Sequence, residues 1–276
     1  MKDVELCKVK PYIRWAGGKK WLIPSIDDLL PTSFNNYHEP FLGGGAVFLH
    51  LYSIGLIKRA YLNDVNADLI NCYRQLKNNS TEFRESLLKH KNTKPYYYKL
   101  RAMVHRNKVE QATQFLHLNR TGFNGIYRVN RQGEYNVPYG YKTYSQLYDM
   151  ENLSAVSKSL KKATLLVSDF FETLINIKAN DLVFIDPPYT IAHEHNGFIE
   201  YNEKIFSWED QKRLVEFISE VKRKGAYYIM TNASHSSIRH LFKKLEKPKV
   251  LERYTLIGGR NANRGVTHEL LYTNCY

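Results

Sequence analysis

Cysteine is scarce in this chain: only Cys7, Cys72 and Cys275 occur among 276 residues, far apart and odd in number. That excludes a disulfide framework or a cysteine-built zinc site and points to a reducing compartment. Long apolar runs are missing as well. None exceeds about seven residues, where a spanning helix needs roughly 18 to 20. The opening residues, MKDVELCKVKPYIRW, interleave charges and carry no long apolar stretch, which predicts no secretory signal. No G-K-[ST] follows a glycine loop and no G-x-G-x-x-G occurs at the glycine-rich turn, so neither a phosphate loop nor a dinucleotide fingerprint is present there. Repeats and low-complexity tracts are also lacking. What remains is an ordinary globular balance, 43% hydrophobic and 24% charged. The length fits one large α/β domain, or a domain of about 150 to 200 residues carrying a smaller one.

Acidic residues are the other shortage. Forty Lys and Arg face twenty-seven Asp and Glu, a net charge of +13 with a pI near 9.4. Such an excess calls for a polyanionic partner, nucleic acid first. It is concentrated in two places. Residues 95–148 hold eight basic and two acidic residues, and residues 239–264 hold eight and two again. Taken singly, either segment reads equally as a solvated surface.

Hydrophobic patterning alternates between strand and helix. A short helix is predicted over 21–30. A strand ends near Pro40 or Phe41, and a glycine turn leads into a helix from Ala46. A second strand spans 59–63, with a helix after it. This β-α-β-α order predicts a parallel sheet covered by helices. Residues from about 80 to 119 read as helical. Two strand-like pieces, IYRV and EYNV, then flank Asn130-Arg131-Gln132-Gly133, a hairpin turn in prospect. Alternation resumes with strands in ATLLVSD and DLVFIDP, the latter of the buried parallel type. The helix after Ser207 carries a capping box to Asp210, and the strands AYYIMTN and ELLYTN flank a helix in HSSIRHLFKKL. The division expected is a core of 1–78 and 149–276 with an insert at 79–148.

Three places carry chemistry. Phe41-Leu42-Gly43-Gly44-Gly45-Ala46 follows the first strand, where glycines permit a tight turn and close approach of a ligand. Asp64 follows the next strand about twenty residues later, placed to accept ribose hydroxyls; capping the following helix, in competition with Asn66, is the other reading. Asp186-Pro187-Pro188-Tyr189 ends the buried strand. Its prolines enforce an extended path and donate no N–H. One stiff turn thus offers a carboxylate, a carbonyl and an aromatic face, a combination suited to a planar heterocycle bearing an amino group.

Together with Trp15-Ala16-Gly17-Gly18-Lys19, Asn63-Asp64-Val65-Asn66, Asn119 to Gly125, Tyr135 to Gly140, Ser168-Asp169-Phe170 and Thr231-Asn232-Ala233, these pieces occur in an order that resembles the Dam-like, D12 class of DNA adenine-N6 methyltransferases. The resemblance spans about residues 12–275. It implies a Rossmann-like α/β sheet dependent on S-adenosylmethionine, with S-adenosylhomocysteine as product, and a mainly helical target-recognition insert carrying a β-hairpin. Trp15, Ala16, Gly17 and Lys19 would border the methionine end of the cofactor, with Phe41, Gly43 and Gly45 beneath it. Asp64 would hold the ribose, and Asp169 with Phe170 the adenine. Asp186, Pro187, Pro188 and Tyr189 would form the catalytic corner that holds the flipped target adenine, with Asp186 also bordering the cofactor. Two departures stand out: Ser168 replaces a common glycine, and Ala233 a frequent histidine, so no catalytic role is assigned at 233.

The implied partner is double-stranded DNA, and GATC is the first guess for the target. Arg120, Asn124, Arg128, Asn130, Arg131, Lys142, Arg260 and Arg264 are the DNA-contact candidates, with Lys249 and Arg253 as further backbone contacts. Arg128 and Asn130 suit either base edges or phosphates, and Asn124 suits either DNA or the loop's own geometry. No metal is expected, since a neutral thioether leaves, and His193, Glu194 and His195 read as a solvated loop. Tyr96, Tyr97, Tyr98 and Trp208 read as packing. The resemblance further implies a monomeric, cytoplasmic protein of bacterial or phage origin, with a restriction-modification or housekeeping role. A rival is a DNA-binding module that kept the fold but lost catalysis.

Overall fold

The computed structural model describes residues 8–189, 206–254 and 266–276. Nine α-helices are described: α1 (Ile23–Ile26), α2 (Ala46–Ser53), α3 (Ala67–Asn78), α4 (Ser80–Leu88), α5 (Lys94–Ala102), α6 (Lys108–Thr121), α7 (Met150–Leu160), α8 (Trp208–Arg223) and α9 (Ser236–Leu241). Seven strands accompany them: β1 (Tyr37–Glu39), β2 (Ala60–Asn63), β3 (Ala163–Leu166), β4 (Leu182–Ile185), β5 (Tyr227–Ala233), β6 (Lys249–Tyr254) and β7 (Val266–Thr273). They form one sheet in the order β3-β2-β1-β4-β5-β7-β6. The β2–β3, β1–β4 and β4–β5 pairs are parallel, whereas β5–β7 and β6–β7 are antiparallel. This is the α/β sheet with covering helices that the alternating pattern predicts. Among the described residues no helix is long and apolar enough to cross a membrane.

The chain divides into two compact units. The first comprises residues 1–23 and 42–168, and the second 24–41 and 169–276. Within the first, α6 packs on α3 and α4, and α7 on α3. Tyr73, Leu76, Phe83, Leu87, Leu116 and Val156 supply fully buried side chains there. Segment 79–148 lies wholly inside this unit, where α4 and α6 pack on α3 and α5 packs on α6. Burying a side chain of that size contributes about 1.5–3 kcal/mol, which is why short helices such as α4 and α5 persist.

In the second unit, Val183 and Ile185 of the fully buried β4 join Leu214, Phe217, Ile218 and Val221 of α8 in one apolar cluster with Tyr228, Met230 and Leu270. The α8 capping box forms as predicted: Ser207 Oγ accepts from the Asp210 N–H at 3.2 Å, and the Ser207 N–H donates to Asp210 Oδ2 at 2.9 Å.

Two predictions are modified. Residues 21–30 form no single helix but a 3₁₀ turn, one turn of α1 and a second 3₁₀ turn; Pro24 lacks the N–H a continuous helix would use. The 126–137 hairpin is held by isolated bridges, Val129 with Tyr135 and Gly122 with Tyr139, rather than by regular strands.

Candidate active site

The first unit carries one group of candidates around the glycine turn. Gly43 sits in the left-handed region at φ +47°, and a Cβ there would stand 2.8 Å from Trp15 Cδ1. Only glycine allows the Trp15 ring to lie that close to the backbone. Trp15 stacks on Tyr127 with ring centroids 5.7 Å apart. The Tyr73 hydroxyl donates to the Gly43 carbonyl at 3.1 Å, and Gly45 precedes α2 in a left-handed conformation. The buried Lys19 ammonium donates to the Gly17 carbonyl at 3.0 Å, beside the exposed Ala16.

Asp64 follows β2 directly. Its Oδ2 accepts the Gly43 N–H at 3.0 Å and its Oδ1 the Asn66 N–H at 2.9 Å. Asn66, not Asp64, caps α3, accepting from the Leu69 N–H at 2.9 Å. The open choice at Asp64 therefore falls away from capping. Burial raises its pKa while the two N–H groups oppose the rise. A carboxylate has about four acceptor positions, so two N–H donors leave room for a pair of hydroxyls. Ser168, the departure from glycine, has a use: its hydroxyl donates to Asn63 Oδ1 and its carbonyl accepts from Asn63 Nδ2, each at 3.0 Å.

The second unit carries the other group. Asp186 is the first residue beyond β4. Ile185 pairs with Met230 in register, so the next residue of β5, Thr231, stands opposite Asp186 and donates to its Oδ1 at 2.9 Å. Pro187 is buried, and Pro188 and Tyr189 are half-buried. The Tyr189 hydroxyl donates to Glu269, whose other oxygen accepts from Arg253 Nη1 at 2.7 Å. Burial first, then the Asp186 and Glu269 charges, push the Tyr189 phenol well above its ordinary range. Arg253 is thus tied to a carboxylate, not presented as a solvated contact.

Asp169 accepts the Phe171 N–H at 2.9 Å and a forked pair from Arg213 at 2.6 and 3.2 Å. Phe170 is almost fully buried, stacked on Phe41 at 5.2 Å with the Arg213 guanidinium 5.0 Å from its centroid. Arg213 has no counterpart among the residues predicted. Neither have Tyr73, Tyr127, Arg253 as a partner of Glu269, or Glu269 itself; a lone carboxylate within the apolar ELLYTN strand was the one available signal.

Trp15, Gly43 and Asp64 are therefore brought together in one unit, and Asp186, Tyr189, Glu269 and Thr231 in the other. The chain matches the family model of D12 class N6 adenine-specific DNA methyltransferases over residues 15–256. It belongs to that family. It is 34% identical to the type II methyltransferase M1.LlaDCHI of Lactococcus lactis subsp. cremoris, over 96% of this chain and 95% of that one. Identity to the type II methyltransferase M.MjaIII of Methanocaldococcus jannaschii is 36%, covering 82% and 85%. A DNA adenine methylase of Haemophilus influenzae is 31% identical, covering 88% and 87%. The chain is a site-specific DNA methyltransferase that uses S-adenosylmethionine to modify adenine N6 and binds DNA.

The methyltransferase's candidate DNA residues separate by placement. Arg128 and Arg131 are exposed, as is Asn124, held at φ +54°. Arg128 Nε donates to Asn136 at 2.8 Å. Asn130 spends its side chain on the turn, accepting from the Gln132 and Glu134 N–H groups and donating to the Glu134 carboxylate. Arg120 donates to the Leu147 carbonyl at 3.0 Å; burial and then Arg14 lower its pKa. Lys142 is half-buried, its pKa lowered by burial, Arg14 and Arg120. Arg260, Arg264, His193, Glu194 and His195 lie outside the described residues. Tyr97 is packed in the core as expected, whereas Trp208 stays partly exposed beside Ser237 and His240.

Proposed function

We propose that this chain methylates the adenine of GATC sites as a monomeric cytoplasmic enzyme, with Asp186, Pro187, Pro188 and Tyr189 as its catalytic corner and 79–148 as its target-recognition insert. The observation that carries the residue assignment is the corner itself: a carboxylate fixed by Thr231 and a tyrosine fixed by Glu269, both just beyond a buried strand. In open α/β sheets ligands bind beyond the carboxyl ends of strands.

S-adenosylmethionine supplies an electrophilic methyl group on a positive sulfur. The chain's residues fit such a group: Gly43 lets the Trp15 ring lie against the glycine turn, and Asp64 keeps acceptor capacity for ribose hydroxyls. Trp15, Ala16, Gly17 and Lys19 border its methionine end, Phe41, Gly43 and Gly45 line the turn, and Asp169 and Phe170 receive its adenine.

Adenine N6 is a weak nucleophile because its lone pair is delocalised into the ring. The Asp186 carboxylate and the Pro187 carbonyl accept its two hydrogens, favour the pyramidal nitrogen and stabilise the positive charge it gains. Tyr189 stacks on the base, whose extrusion from the duplex costs a few kcal/mol. Arg120, Asn124, Arg128, Asn130, Arg131, Lys142, Arg260 and Arg264 hold the DNA, with the exposed Arg128 and Arg131 presented most openly.

The test is transfer of labelled methyl to duplex DNA by the wild-type and Asp186→Ala proteins. The variant is expected to lose at least about 10³-fold in turnover while keeping most of its DNA affinity. Turnover near wild type would refute the role of Asp186. N4-methylcytosine as product would move the base assignment, and single-molecule mapping of the methylated DNA reads the target sequence.

A further inference from the structure

We propose that Glu269 is a positioning residue for methyl transfer, acting through the hydroxyl of Tyr189. The inference rests on the reading of Tyr189 as the platform for the target base.

Glu269 is 3% exposed, yet it carries a carboxylate into the interior. An isolated buried charge is strongly disfavoured, so its partners explain its presence. Among them are the Arg253 guanidinium at 2.7 Å and the Tyr189 hydroxyl at 2.5 Å. Sheet register brings them together. Glu269 of β7 lies opposite Ala233 of β5 and Leu251 of β6. Residues two apart on a strand share a face, so Thr231 of β5 and Arg253 of β6 lie diagonally on the same side as Glu269. Thr231 holds Asp186 there. One face of the antiparallel end of the sheet thereby fixes both ends of the Asp186–Tyr189 corner: Thr231 holds the carboxylate, and Glu269 with Thr231 holds the Tyr189 hydroxyl.

The second effect is electronic. A phenol that donates to a carboxylate gains electron density in its ring, and an electron-rich ring face attracts positive charge more strongly. Adenine N6 becomes positive as it takes the methyl, so the gain is larger in the transition state than in the bound substrate. An interaction of that kind acts on kcat and leaves KM little changed. Arg253 balances the Glu269 charge through the carboxylate oxygen that does not meet the phenol.

The experiment compares Tyr189→Phe, Glu269→Gln and the double variant with wild type and Asp186→Ala in single-turnover methylation, alongside Kd for DNA and for S-adenosylhomocysteine. Each single variant is expected to slow the chemical step by about 10- to 100-fold with both Kd values within about twofold. The double variant should be no slower than Tyr189→Phe, because that change already cuts the link to Glu269 together with the hydroxyl's contact to Thr231. Additive losses in the double variant, or a wild-type rate in either single, would overturn the proposal. Should Glu269→Gln fail to fold, Glu269→Asp takes its place, because Tyr189→Phe also loses the hydroxyl's contact with Thr231: a slowed step with intact binding supports the link, and a wild-type rate refutes it. Wild-type turnover of Asp186→Ala instead marks a failure of the corner's assignment, whatever the Glu269 variants do.

Discussion

At the scale of single residues, hydrogen-bond accounting separates neighbours that look alike in the sequence. Asp64 and Asn66 are both good caps, but the Asn66 side chain takes the α3 N-terminus and Asp64 turns to the Gly43 amide. Local sequence leaves that choice open because each side chain can reach a cap; the fold decides it by bringing the glycine turn to Asp64. Gly43 itself is constrained twice. A left-handed backbone costs a non-glycine residue about 1–3 kcal/mol, and any Cβ meets the Trp15 ring. Gly43→Ala should therefore lower stability by about that amount and weaken S-adenosylhomocysteine binding by at least about tenfold, since Trp15 must shift. Calorimetric titration and thermal melting measure both effects, and wild-type affinity in the variant would show that the turn borders no cofactor.

At the scale of elements, legibility follows how far each segment depends on distant partners. The buried run of β4 and the capping box of α8 are written in adjacent residues, and both form where the sequence puts them. The 126–137 hairpin is not so written. Remote side chains help hold it: the Tyr97 hydroxyl and Arg101 guanidinium donate to the Val137 carbonyl at 2.9 and 3.0 Å, beside the hairpin's own Tyr135 hydroxyl, which donates to the Ile126 carbonyl at 3.0 Å. Helices α4 to α6 bring in a further feature. His90, just beyond α4, and His117 of α6 lie with ring centroids 5.0 Å apart and donate to or accept from Tyr96 and Tyr148. Burial lowers their pKa values to about 4 and about 3. The unfolded chain takes up protons at these sites below about pH 6.5, whereas the folded chain keeps both imidazoles neutral. Stability should therefore fall as pH drops from about 6.5 toward about 4. A loss of about 1 kcal/mol or more, roughly 2–4 °C in melting temperature, is expected between pH 7 and pH 5. Melting curves at the two pH values test it, with a shallower slope in His117→Gln; a flat wild-type profile would contradict it.

At the scale of the whole molecule, a net charge of +13 governs association with DNA. Each phosphate contact releases condensed counterions, so a protein making six to ten of them loses about 10³- to 10⁵-fold in affinity between 50 and 200 mM salt. A steep fall of that order is expected here by fluorescence anisotropy, and a flat response would remove phosphate contacts as the main source of affinity. Charge, the Asp-Pro-Pro-Tyr corner, the glycine turn and the alternation of strands and helices are properties of neighbouring residues, so the sequence alone determined the α/β class, the polyanionic partner and the family resemblance. The partners of those residues are not neighbours. Tyr189 finds Glu269 eighty residues on, Asp169 finds Arg213, and Asp186 finds Thr231 because β4 and β5 pair in one register. Only the tertiary structure decided these, because strand register and side-chain burial are set by contacts between segments far apart in the chain.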